Sequence, residues 1–240
     1  MTTGTLQGNA TNLPQAGITD NSTLVFDQST PGTYASNITG TGALVKQGAS
    51  TLVLTGTNSY AAGTIISAGT LQGNTTSIPA SNGVLDNGIL VFDQAANGTY
   101  SGNITGTGSF VKQNAGTLIL SGTNTYAGGT TITGGTLQGS TTNIPSGPVL
   151  NNSILIFDQP TTGVFSGPIS GTGMLIKQNA GLLILSGANS YTGSTTITGG
   201  ILQGNTNSIP SGSVIDNATF VLDQNFDGTF GEVFPDQGLF

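Results

Sequence analysis

The sequence predicts an all-β fold, a right-handed parallel β-helix (β-solenoid). Three observations predict it: a 65-residue internal repeat, short runs in which apolar and polar residues alternate, and Gly or Asn at most breaks between runs. A fixed period is the signature of a repeat architecture. Here GTLQG-like strings place Gln7, Gln72, Gln138 and Gln203 at spacings of 65, 66 and 65 residues.

Each unit opens on that string and passes Leu13-Pro14 or an Ile-Pro equivalent ending at Pro79, Pro145 or Pro210. It then reaches LVFDQ or a variant, ending at Gln28, Gln94, Gln159 and Gln224. GTGALVKQ and its variants follow and place Lys46, Lys112 and Lys177; TLVLTGTNSY and its variants close the unit at Tyr60, Tyr126 and Tyr191. The chain 1-240 reads as one domain, with units roughly 4-68, 69-134 and 135-199, a partial unit 200-230 and a divergent tail 231-240. The extra residue of the second unit falls between Pro79 and Phe92. The turn-like Ala80-Ser81-Asn82-Gly83 there predicts a surface turn of free length.

Within a run such as TLILSG, Leu118 and Leu120 point to one face while Thr117, Ile119 and Ser121 point to the other, which is strand periodicity. A Gly every few residues would cost about 1 kcal/mol each inside a helix, so helices are excluded. If a coil takes roughly 22 residues, a unit makes about three coils and the chain about eleven, stacked at ~4.8 Å into a rod on the order of 50 Å long. A propeller with one blade per unit fits less well, because blades run about 40 to 50 residues.

Composition narrows the function. There is no Cys, His, Trp or Arg, and three Lys stand against ten Asp plus Glu for a net charge of −7. So few cations cannot neutralise phosphates or hold an anionic lipid surface, which argues against nucleic-acid partners and membrane insertion. No stretch approaches the ~18 apolar residues of a membrane span, and MTTGTLQGNA lacks the basic and apolar regions of a signal peptide. With neither His nor Cys, and no calcium-loop motif, no metal or cofactor is expected.

The string from Gly116 to Leu137, GTLILSGTNTYAGGTTITGGTL, resembles the passenger-associated repeat of bacterial autotransporters, and it recurs from Ser50 to Leu71 and from Gly181 to Leu202. The resemblance implies a right-handed parallel β-helix displayed outside a Gram-negative cell, either secreted or on the outer-membrane surface. A signal peptide and a translocating barrel are absent from this sequence, so the expectation is a passenger fragment or a short solenoid relative. The function expected is non-catalytic: a stiff passenger, stalk or self-assembling fibre subunit. Alternatives are an adhesin reading a host or matrix glycan or protein through one face, and, more distantly, a polysaccharide-degrading β-helix enzyme.

Several recurring residues are candidates for a site. Asp27, Asp93, Asp158 and Asp223 recur once per unit, and three-coil spacing sets successive ones roughly 14 Å apart along the axis, beyond the ~5 to 9.5 Å of glycosidase pairs. A second carboxylate from Asp20, Asp86 or Asp216 could approach within a unit, although the third unit has Asn151 there. Turn and strand-end roles are favoured, and no catalytic residue is assigned. Lys46, Lys112 and Lys177 are expected on one exposed line of the rod, weakly paired with carboxylates. Tyr34, Tyr60, Tyr100, Tyr126 and Tyr191, with Phe165 and Phe230, either cover coil corners or form an aromatic surface for glycans. In the tail, Phe226, Phe230, Phe234 and Phe240 either cap the last coil or dock on the first coil of a neighbouring copy. The second arrangement would build an end-to-end oligomer or filament.

Overall fold

The computed structural model describes residues 3–210, 212–225 and 229. Among them every regular element is a strand of two to five residues, every strand pair is parallel, and the chain winds through about eleven turns of a β-solenoid. The tail residues Phe226, Phe230, Phe234 and Phe240, and with them the choice between cap and docking end, lie outside the described residues. Among the described residues no helix is long and apolar enough to cross a membrane.

Each coil has three sides, so a strand stacks on the side three before it. Thr23–Asp27 pairs with Ala43–Gln47, which pairs with Thr64–Ile66, then Val84–Asp86, then Ile104–Thr105. Paired residues are 18 to 20 positions apart, as in Thr5 with Thr23, Thr51 with Thr70 and Leu24 with Leu44. The coil is therefore shorter than the ~22 residues expected, and a 65-residue unit makes about three and one third turns rather than three. Two sides of each unit are not strands. One is the Asn58, Asn124 or Asn189 side; the other is the turn after TLQG, at Asn74–Ser77 in the second unit. With eight strands these make ten sides per unit, one more than three full coils.

That remainder moves each unit on by one side. Thr5–Gly8, Thr70–Gly73 and Thr136–Gly139 carry the same TLQG sequence and lie in three different sheets. Equivalent residues therefore spiral around the rod instead of running in a line along it.

The strand alternation places the core. In Thr117–Leu120, Leu118 and Leu120 are buried while Thr117 and Ile119 are partly exposed, as the sequence pattern required. Inward Leu, Ile, Val and Phe from successive coils form one continuous column. Aromatic pairs fill the wide corners: Phe26 and Tyr34 meet edge to face at 5.1 Å between ring centroids, and Phe92 and Tyr100 at 4.9 Å. The extra residue of the second unit lies in the expected turn. Ser81 and Asn82 there are exposed, Asn82 has φ 55°, and the Gly83 N–H closes on the Ala80 carbonyl at 3.1 Å.

Candidate functional site

The residues of greatest chemical interest are the polar groups that recur once per unit. Lys46, Lys112 and Lys177 are completely buried, and they lie in three different sheets. The expected exposed line of lysines is thus corrected on both counts. Alternation turns each Lys inward, because it stands two residues after an inward Leu or Phe such as Leu44. At the coil corner its ammonium then meets main-chain carbonyls. Lys112 Nζ donates to Gln113 O at 3.0 Å, Asn114 O at 2.7 Å and Gly134 O at 2.9 Å.

Lys46 and Lys177 repeat this cage at 2.7 to 3.0 Å. The second carbonyl is aimed by a left-handed residue, Gly48 (φ 78°), Asn114 (φ 68°) or Asn179 (φ 68°), so Lys-Gln must be followed by Gly or Asn. Burial pushes the Lys112 ammonium down to about 8, opposed by the Asp93 charge, which leaves it protonated at neutral pH. Burial acts in the same direction on Lys46 and Lys177. Three donors matched to three acceptors tie one coil to the next, and removing the ammonium would leave buried carbonyls unpaired at about 1–3 kcal/mol each.

The recurring aspartates face outward and are held by glutamine. Gln72 Nε2 donates to Asp93 Oδ2 at 3.0 Å, and the same pair forms at Gln7 and Asp27, Gln138 and Asp158, and Gln203 and Asp223. Like the lysines, these pairs advance one side per unit, so they do not line up along a single face as the axial spacing had assumed. Two shallow clefts of about 220 and 210 Å³ recur beside them. One is lined by Ser121, Gln138, Gly139 and Asp158, the other by Ser186, Gln203, Gly204 and Asp223. The second set of acids points the other way: Asp20 and Asp86 are fully buried, so Asp86 and the outward Asp93 cannot share a substrate. Among the described residues no cluster of three or more His, Cys, Asp or Glu could hold a metal.

The tyrosines are also interior. Tyr34, Tyr60, Tyr100, Tyr126, Tyr191 and Phe165 are at most 2 % exposed, which overturns the aromatic glycan surface for these six; Phe230 lies outside the described residues. The Tyr60, Tyr126 and Tyr191 hydroxyls each meet a Thr Oγ1 at 2.7 Å, and burial raises the pKa of Tyr60 and Tyr126.

Sequence reasoning missed the buried amides. Asn124 Oδ1 accepts from the Ile104 N–H at 2.8 Å and its Nδ2 donates to Asn143 O at 2.6 Å, so one side chain stands in for a strand between two coils. Asn58 and Asn189 do the same. Exposed Asn21, Asn37, Asn87 and Asn103 each accept an N–H from the residue 20 positions on, one coil away. The signal was the fixed place of Asn in every TNSY-like string.

The passenger-associated-transport-repeat family matches residues 44–72, 110–138 and 175–203. Each match spans one Lys cage and ends on a TLQG-type strand. The adhesin BmaC autotransporter of Brucella suis biovar 1 (strain 1330) is 39 % identical across 152 aligned positions, covering 48 % of this chain and 4 % of that protein. The chain thus spans a small fraction of the length of the curated relative it matches. No solved structure matches the chain significantly.

Proposed function

From a chain that carries three passenger-associated transport repeats, we propose a segment of an extracellular, non-catalytic passenger: a stiff β-solenoid rod displayed at a bacterial surface. The observation that carries this reading is the use to which the recurring polar groups are put. Lys cages, Gln–Asp pairs and Asn bridges all join one coil to its neighbour, so the chemistry that repeats holds the rod together. With every Lys buried and the net charge at −7, the exterior offers no lysine or arginine to phosphates. This favours a protein or neutral-glycan environment over nucleic acid.

A second reading is adhesion through the rod's own sides, favoured because the matching relative is named an adhesin. Since each unit presents the same surface one side further round, such an adhesin would contact its target from several directions and not through one face. Probing glycan and matrix-protein arrays with the purified chain separates the two. A rod that only spaces other parts binds nothing, whereas retained binding to a defined glycan or matrix protein would replace the spacer reading with the adhesive one.

A further inference from the structure

Asp20, Asp86 and Asn151 occupy the same position in three successive units, at the end of a short inward-facing segment, and all three are 0 % exposed. Their first oxygen does the same work. Asp86 Oδ1 accepts from the Gly88 N–H at 2.9 Å, Asp20 Oδ1 from Ser22 N–H at 2.9 Å and Asn151 Oδ1 from Ser153 N–H at 3.1 Å. Their second atoms differ. Asn151 Nδ2 donates to the Met174 carbonyl of the next coil at 2.9 Å, while Asp86 Oδ2 and Asp20 Oδ2 are buried with no partner.

By the 65-residue repeat, the carbonyl equivalent to that of Met174 is Ser109 O for Asp86. An ionised carboxylate there sets two acceptors against each other in a dry site. Water has no room to mediate, because Gly108 packs so closely that a Cβ on it would lie 2.5 Å from either carboxyl oxygen. We propose that Asp86 is carried in the folded solenoid as a neutral carboxylic acid whose O–H donates to the Ser109 carbonyl, a proton-dependent clasp between neighbouring coils that Asn151 renders permanent in the next unit.

The surroundings agree. Val84–Asp86 packs between Thr64–Ile66 and Ile104–Thr105, which bring no charge to the carboxyl. Lys46 lies two coils away in the same inward column, beyond Ile66, with its three donors already engaged. Tyr126 interacts electrostatically with Asp86, and its hydroxyl is bonded to Thr130. Burial raises the Asp86 carboxyl to about 6, against the main-chain N–H groups of Gly88 and Leu90, which favour the charged form. An acid whose folded pKa exceeds its unfolded value keeps its proton longer when folded. The stability from this clasp is therefore fully present below the unfolded value near 3.9 and is lost as pH rises through about 6.

Unfolding of the full chain would be followed for the wild type and Asp86→Asn, alongside the ¹³C-carboxyl titration of Asp86 in the wild type. The wild-type folding constant relative to that of Asp86→Asn should fall about tenfold to a hundredfold between about pH 4 and about pH 7. A ratio that does not change with pH overturns the proposal. So does an Asp86 resonance that titrates in the ordinary carboxylate range, a readout that stands even if the Asn variant fails to fold.

Discussion

TLQG at Thr5–Gly8 and TLQG at Thr70–Gly73 are the same four residues with the same alternation, yet Leu71 is fully buried and Leu6 is only partly so. Among the described residues, Thr5–Gly8 pairs with Thr23–Asp27 alone, whereas Thr70–Gly73 lies between Thr51–Leu54 and Ile89–Asp93. Sequence decides which way a side chain points, and stacking decides how much its direction is worth. In a solenoid each coil completes the core of its neighbours, so stability is a sum over interfaces between coils.

The largest test of this difference is a charge in the core. Leu71→Asp should abolish cooperative unfolding, because it buries an unpaired carboxylate between two coils, whereas Leu6→Asp should cost about 1–2 kcal/mol. Urea denaturation followed by far-ultraviolet circular dichroism reads both. Equal losses would mean that the first coil is as fully covered as the interior ones.

A smaller test uses glycine. Gly4 and Gly69 are equivalent and share a left-handed backbone, φ 86° and 70°. A Cβ on Gly4 meets nothing within 4 Å, but one on Gly69 would lie 2.4 Å from the Gly48 carbonyl oxygen. Gly4→Ala should therefore cost only the backbone strain, about 1 kcal/mol, and Gly69→Ala about 3 kcal/mol or more from strain plus displaced backbone. Melting temperatures of the two variants that fall together would show the coil above yielding freely.

The smallest effect should be equal at both places. The Gln–Asp pairs lie outside the core at 3.1 Å for Gln7 and 3.0 Å for Gln72, so Gln7→Ala and Gln72→Ala should each cost about 0.5–1 kcal/mol. A loss at Gln72 several times that at Gln7 would mean that stacking also strengthens the outer surface.

Much of this was legible in the chain. The unit length, the inward Leu118 and Leu120 against outward Ile119, and the loose turn at Ala80–Gly83 all follow from spacing. The coil length did not follow, because the Asn124 side and the turn after TLQG carry no strand signature and so do not mark themselves as sides. The lysines are hard to place for a different reason. Lys is seldom buried, which points to the surface, although alternation already sets Lys46 on the side of Leu44. Nor could the second-atom difference between Asp86 and Asn151 be seen before their burial was known.

The one-side remainder of each unit has an evolutionary corollary. Duplicating a unit lengthens the rod by about 16 Å at ~4.8 Å per coil and also swings everything beyond it through a third of a revolution. Copy number therefore sets the azimuth of the rod's far end as well as its reach, and only gains or losses in threes preserve its heading. Lineages that expand and contract such arrays would sample three orientations of whatever the rod carries, without a single substitution in it.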